Sequence, residues 1–178
     1  MITIQRAHFD TEAIRFQPAE VETITGVPPV LLRDWRRRGI LSERNDGKVD
    51  GFSVGALAEI ALFQSLSTHG IGPKAVHGWS FSMVGHIVQF ALAEPEAWAT
   101  AEAYSAWRQE TINGKTPRYA VLTSVGVRST DSPMALPMGS DENVLTIVDL
   151  KRIGDMIRVR AGKPLAVVSG YHRIDLVD

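Results

Sequence analysis

The chain predicts a mostly α-helical N-terminal part, joined through a helical connector to a small α+β unit at the C-terminus. Three observations lead there. Before residue 70, proline and glycine bracket short segments of helical apolar spacing, as in "FQPAEVETITG" and "VPPVLLRDWRRRGIL". From Pro73 to about residue 110 the helical spacing continues with few breaks, and after "TINGKTPR" it gives way to β-branched runs.

Composition bounds the reading. The 178 residues suffice for one ordinary domain plus a smaller one, with 44% hydrophobic and 22% charged residues as in folded proteins. Cysteine is absent, which excludes disulfides, thiolate metal sites and thiol redox switches. "MITIQRAHFD" has no basic segment followed by an apolar run, and no stretch reaches the roughly 18 apolar residues of a membrane span. A cytoplasmic location is therefore expected. The net charge of −1 argues against a basic coat over the whole surface. A local patch is another matter: residues 31–48 hold five arginines and one lysine against Asp34, Glu43 and Asp46.

The first helix is expected over residues 18–25. Pro18 has the fixed φ of a first helical position, Glu20 complements the positive end of the helix dipole, and Gly26 stops it. A second helix runs from Pro29 to about Arg38, after Pro28 and before Gly39. Its Leu31, Leu32 and Trp35 face a core, leaving Val30, Arg33 and Arg37 on the opposite stripe. "LSERNDGKVDGFS" has the turn chemistry of a small hairpin, Asn45-Asp46-Gly47 and Asp50-Gly51, and reads as a wing. Ser53 then caps a third helix that Gly70 closes.

From Pro73 a further helix is expected to break near Gly78 and to carry Val84, Ile87, Val88, Ala91 and Leu92 on one side. Pro95 restarts a helix bearing Trp98, Tyr104 and Trp107. That apolar side serves either as a dimer contact or as a seat for the C-terminal unit. In the last third, "YAVLTSVGV", "NVLTIVDL" and "PLAVVSG" read as three strands, with a helix between the last two, capped by Asp149 and stopped by Gly162. The expected organisation is an arm over 1–15, a first domain over 16–78, a connector over 79–112 and an α+β unit over 117–178.

Two short helices joined through a glycine, the second with arginines away from its apolar seam, form a helix-turn-helix. Such a turn holds the second helix where it can enter the ~12 Å major groove, and arginine can bond guanine bidentately or pair with phosphate. The residues also resemble the MerR-type winged helix-turn-helix family over about 16–78. Thr25, Gly26 and Val27 match its turn, Leu32 and Arg33 its Leu-Arg pair, Trp35 its second aromatic, and Gly39, Ile40 and Leu41 its ending. Phe52 and Ser53 resemble the aromatic-Ser that ends the wing, and residues 57–70 the third helix. Three positions depart from the pattern: Pro28 replaces the usual N-cap, Asp34 the first aromatic, and Asp50 the arginine near the end of the wing.

The resemblance implies a sequence-specific transcription regulator that binds double-stranded DNA as a homodimer on a pseudo-palindromic promoter or operator. Val30 and Arg33 are the expected base contacts, with Arg36, Arg37, Arg44 and Lys48 on phosphates. An architectural or phage-type DNA factor, such as an excisionase or a packaging recognition subunit, uses similar winged domains. A protein-interaction module with a winged scaffold is a third reading. Trp79, Phe81, Phe90, Trp98, Tyr104 and Trp107 could line a pocket for a small-molecule effector. His8, His69, His77, His86 and His172 lack metal-ligand spacing, so no cofactor is expected. No nucleophile–base pair, phosphate loop or dinucleotide motif points to an enzyme.

Overall fold

The computed structural model describes residues 4–41, 51–111, 116–135 and 144–176. Residues 42–50 of the hairpin expected in "LSERNDGKVDGFS", with Arg44 and Lys48, lie outside them. The fold is mostly helical, with a small three-stranded antiparallel sheet.

Strand β1 (Ile4–Ala13) occupies most of the region expected to be an arm. Helix α1 (Pro18–Thr25) starts at Pro18 as expected and is closed by Gly26 at φ 77°, whose N–H donates to the Glu22 carbonyl. At its start Glu20 accepts the Gln17 backbone N–H at 2.7 Å, satisfying one of the donors a helix N-terminus leaves over. Helix α2 (Pro29–Arg37) follows three residues later. Its end is a Schellman motif: Ile40 N–H donates to Trp35 O (2.9 Å) and Gly39 N–H to Arg36 O (3.0 Å), with Gly39 at φ 65°. Helix α3 (Val54–Ser67) is capped by the Ser53 hydroxyl, which accepts from Ala56 N.

Helix α4 (Pro73–Val76) passes through a 3-10 turn over His77–Trp79, the break expected near Gly78, into α5 (Ser80–Ala91). Pro95 does not restart a helix that carries Trp98. It opens a 3-10 turn only, and Trp98 is extended, its indole N–H donating to Leu92 O at 2.9 Å. The Thr100 hydroxyl accepts from Ala103 N, so α6 (Ala101–Thr111) begins beyond it.

The run "YAVLTSVGV" is a hairpin rather than a single strand: β2 (Tyr119–Thr123) turns at Ser124-Val125 into β3 (Gly126–Thr130). Strand β4 (Val144–Asp149) pairs with the other side of β2, giving the order β3-β2-β4. Helix α7 (Leu150–Ala161) has Asp149 as its N-cap and Gly162 in the left-handed region at its end. The third expected strand, β5 (Ala166–Leu176), does not join this sheet. Leu165 N–H bonds Ala97 O and Ala99 N–H bonds Ala166 O, which send the chain to the far side, where β5 pairs antiparallel with β1 from Ala13↔Ala166 to Ile4↔Leu176.

One hydrophobic core runs through all of this. Phe16, Leu57, Ile60, Phe63, Met83, Ile87, Leu150 and Ile157 are fully buried and belong to one cluster. Burial of each large aliphatic or aromatic side chain contributes about 1.5–3 kcal/mol. Helix α7 is the shared wall, packing on α5, α3 and α1. The stripe expected on α5 is thus largely used within the chain: Ile87, Ala91 and Leu92 are buried, and Val84 and Val88 half-buried against the core. Helices α5 and α7 approach closely at Gly154. A Cβ there would stand 2.7 Å from Ile87 O, 2.7 Å from Phe90 Cβ and 2.8 Å from Ala91 N.

Candidate nucleic-acid interface

The geometry of α2 follows from what anchors it. Leu32 and Trp35 are buried, and the Trp35 ring meets Phe63 of α3 edge to face, centroids 6.0 Å apart at 82°. Such pairs contribute about 0.5–1.5 kcal/mol beyond area burial. The turn before α2 is held from inside. The Thr25 hydroxyl donates to Val21 O (2.8 Å) and accepts from Val27 N (3.2 Å), while Pro28, without a side-chain cap, offers its carbonyl to Leu31 N and Leu32 N.

With that side fixed, Val30, Arg33 and Arg37 project outward, as the helical spacing requires. Val30 is 64% exposed, and the Arg37 side chain 80%. A shallow hollow of about 330 Å³ lies beside Arg33, walled by Pro18, Pro29, Leu32 and Phe52.

Arg36 stands apart from the others. Its guanidinium lies 3.7 Å above the centroid of the Phe52 ring, and one Nη donates to Gly51 O at 3.5 Å. Phe52 in turn exchanges two 2.9 Å backbone hydrogen bonds with Phe16. Gly51, at φ 97°, is needed for that approach, since a Cβ would meet Phe16 O at 3.0 Å and the Arg15 Cβ at 3.1 Å. Arg36 therefore clamps the returning chain to α2, rather than extending outward as the expected phosphate contact. A signal for this was present: Arg36 is four residues from buried Leu32 and so shares its side of the helix.

Asp34 is the second surprise. It accepts from Arg37 (2.8 Å) and from Arg38 (3.1 Å). First Arg37 and then Arg38 hold its carboxyl below the usual carboxylate range. The pair of bridges neutralises part of the basic face.

Two long-range contacts fix α1 beneath this face. Arg160 of α7 donates to the Ile24 carbonyl in the last turn of α1 (3.1 Å), and Lys163 pairs with Glu20 while lying 4.7 Å over the Phe16 ring. The hydrogen bond from Lys163 is the main reason the Glu20 carboxyl titrates lower than usual.

The six aromatics expected to share a pocket divide. Trp98 and Tyr104 both pack on Trp107, at 5.4 and 6.5 Å, and the Tyr104 hydroxyl donates to Ala93 O. Trp79 and Phe81 are exposed at the start of α5. Among the described residues no three His, Asp or Glu side chains gather as a metal site, and no helix is long and apolar enough to cross a membrane. Set beside protein families, characterised proteins and solved structures, the chain matches none.

Proposed function

We propose that the protein is a sequence-specific DNA-binding regulator, with α1 and α2 as a helix-turn-helix and α2 as the helix that enters the major groove. One observation carries the reading: Val30, Arg33 and Arg37 project from the side of α2 opposite the buried Leu32 and Trp35. A rigidly seated helix with an apolar contact and two guanidiniums on its free side suits base edges and phosphates together. The pairing of Phe16 with Phe52 supports a wing, because it closes the base of the segment that contains 42–50 next to α2. Val30 and Arg33 are assigned to bases, Arg37 to phosphate, and Arg36 to positioning of the wing base; Arg44 and Lys48 retain their proposed phosphate roles.

The homodimer implied by the family resemblance needs a surface other than the covered side of α5. Trp79 and Phe81, the latter 90% exposed, are the apolar residues on that segment left for a second copy.

The test is selection of bound duplexes from a random DNA library by the purified protein at moderate salt. An enriched inverted repeat is expected, with Arg37→Ala weakening its binding and reducing the salt slope by about 1. Folded protein that enriches no sequence would refute the proposal, and an Arg37→Ala variant with unchanged affinity and slope would refute the site.

A further inference from the structure

A cleft lies away from α2, between the end of α3, strand β4 and α7. It holds about 590 Å³ and continues past His69 and Thr146 into a second hollow of about 400 Å³ beside Trp79. The residues β4 contributes are informative. Thr146, Ile147, Val148 and Asp149 all line the first cleft. A strand that offered one face would contribute alternate residues, so four in succession mean that β4 presents its edge.

That edge is open among the described strands, since β4 is the outer member of β3-β2-β4. The pairing fixes which groups it offers. Leu150 N–H donates to Arg118 O, and Val148 and Thr146 stand opposite Ala120 and Leu122. The alternation of an antiparallel ladder then turns the N–H and C=O of Ile147 away from β2 and toward the cleft. The four residues span about 13 Å at ~3.3 Å per residue, the reach of a short added strand.

The rest of the lining specifies the occupant. Leu66, Ile153 and Met156 give it an apolar floor. The rim is basic. Arg152 is exposed, and its guanidinium meets no acid among the described residues; Arg160 is exposed with one N–H held by Ile24 O. The Asp149 carboxylate, the acid at the rim, is already paired two-pronged with Arg118 at 2.7–3.2 Å. An unpaired sheet edge over an apolar floor with cationic side chains alongside is complementary to an extended, acidic segment of another protein. We infer that this cleft docks such a segment by adding it as a fourth strand beside β4, its carboxylates against Arg152 and Arg160. The inference does not depend on DNA binding.

The test begins with a random-peptide display library panned on the full-length protein. The tightest peptide is then labelled and titrated by fluorescence anisotropy. Expected winners combine Asp or Glu with β-branched or aromatic residues and lack proline in the middle. Two variants read the two halves of the proposal. Ile147→Pro removes the outward N–H while leaving the bonds to β2, a position where an edge strand tolerates proline. Arg152→Glu reverses the rim charge at a helix N-terminus that favours a carboxylate. Each should weaken binding by about tenfold or more, equivalent to about 1.4 kcal/mol, with the melting curve of Arg152→Glu unchanged. If Ile147→Pro fails to fold, Arg152→Glu decides alone. Failure to enrich any peptide, enrichment of basic peptides, or binding indifferent to Arg152→Glu would overturn the inference.

Discussion

Gly154→Ala places a methyl group where the described glycines have least room, and the outcome can be worked from the geometry. Its Cβ would meet Ile87 O, Phe90 Cβ and Ala91 N at 2.7–2.8 Å. Two of these atoms are backbone and the third is attached directly to it, so no flexible side chain can swing aside. Reaching even a tight 3.4 Å requires α5 and α7 to separate by about 0.7 Å, which loosens the Ile87, Ala91, Ile153 and Ile157 packing along the seam. Overpacking of this kind costs about 1–3 kcal/mol, against a gain of about 1 kcal/mol for replacing glycine by alanine in a helix. The net expectation is a loss of up to about 2 kcal/mol, or up to roughly 8 °C in melting temperature for a chain of this size.

Gly85 supplies the control. It is also inside a helix, α5, but exposed, with nothing within 4 Å of its Cβ position. Gly85→Ala should therefore stabilise by about 0.5–1 kcal/mol. Thermal and urea unfolding followed by circular dichroism measures both variants. The same substitution should thus change sign between two adjacent helices. A Gly154→Ala protein as stable as Gly85→Ala would refute the close approach of α5 and α7, and with it the continuity of the core.

Other predictions concern charge. Asp34→Ala removes a carboxylate from the proposed DNA face and releases Arg37 and Arg38, so binding to any duplex should tighten severalfold with a steeper salt dependence. A fall in affinity would show instead that Asp34 holds Arg37 in its binding geometry. Asp149→Ala removes the cap of α7 and the partner of Arg118, with an expected loss of about 1–2 kcal/mol at neutral pH; Asp149→Asn keeps a cap and should lose less. Burial raises the Asp149 pKa, but the Arg118 hydrogen bond, the Arg152 N–H and nearby positive charge together bring it below 3.8. The unfolded chain therefore binds this proton more readily than the native one. The charge-dependent stabilisation is complete above the unfolded value and disappears as pH falls through the folded one. Urea titrations should show the difference between wild type and Asp149→Asn shrinking as pH falls below the ordinary aspartate range, and vanishing once the native carboxyl is protonated. A constant difference down to the lowest pH would refute the pairing.

What could be read from the sequence was decided by neighbours in the chain. Pro18, Gly26, Pro29, Gly39, Ser53, Asp149 and Gly162 mark helix ends because capping and backbone restriction act within a few residues, and α1, α2, α3 and α7 lie where they indicate. Partner choice was not local. "PLAVVSG" has the alternation of a strand, but nothing in it distinguishes β4 from β1 as a neighbour; the bonds of Leu165 and Ala99 across the Trp98 segment decide that. Arg36 was grouped with its neighbours by charge, whereas its angle around the helix relative to Leu32 carries the information. The basic cleft was hidden for the same reason, since Arg152 looks ordinary until β4 is seen beside it.

The link between Arg160 and Ile24 also has a meaning in time. The two residues are 136 positions apart, and the Lys163–Glu20 pair 143. A ribosome adding roughly 5–20 residues per second makes the turn between α1 and α2 about 7–27 s before the helix that holds it. Throughout that interval the N-terminal helices expose the side destined for α7, and only the emergence of α7 covers it. The surface proposed to read DNA is therefore steadied by a helix whose contact residue is made 136 positions after it.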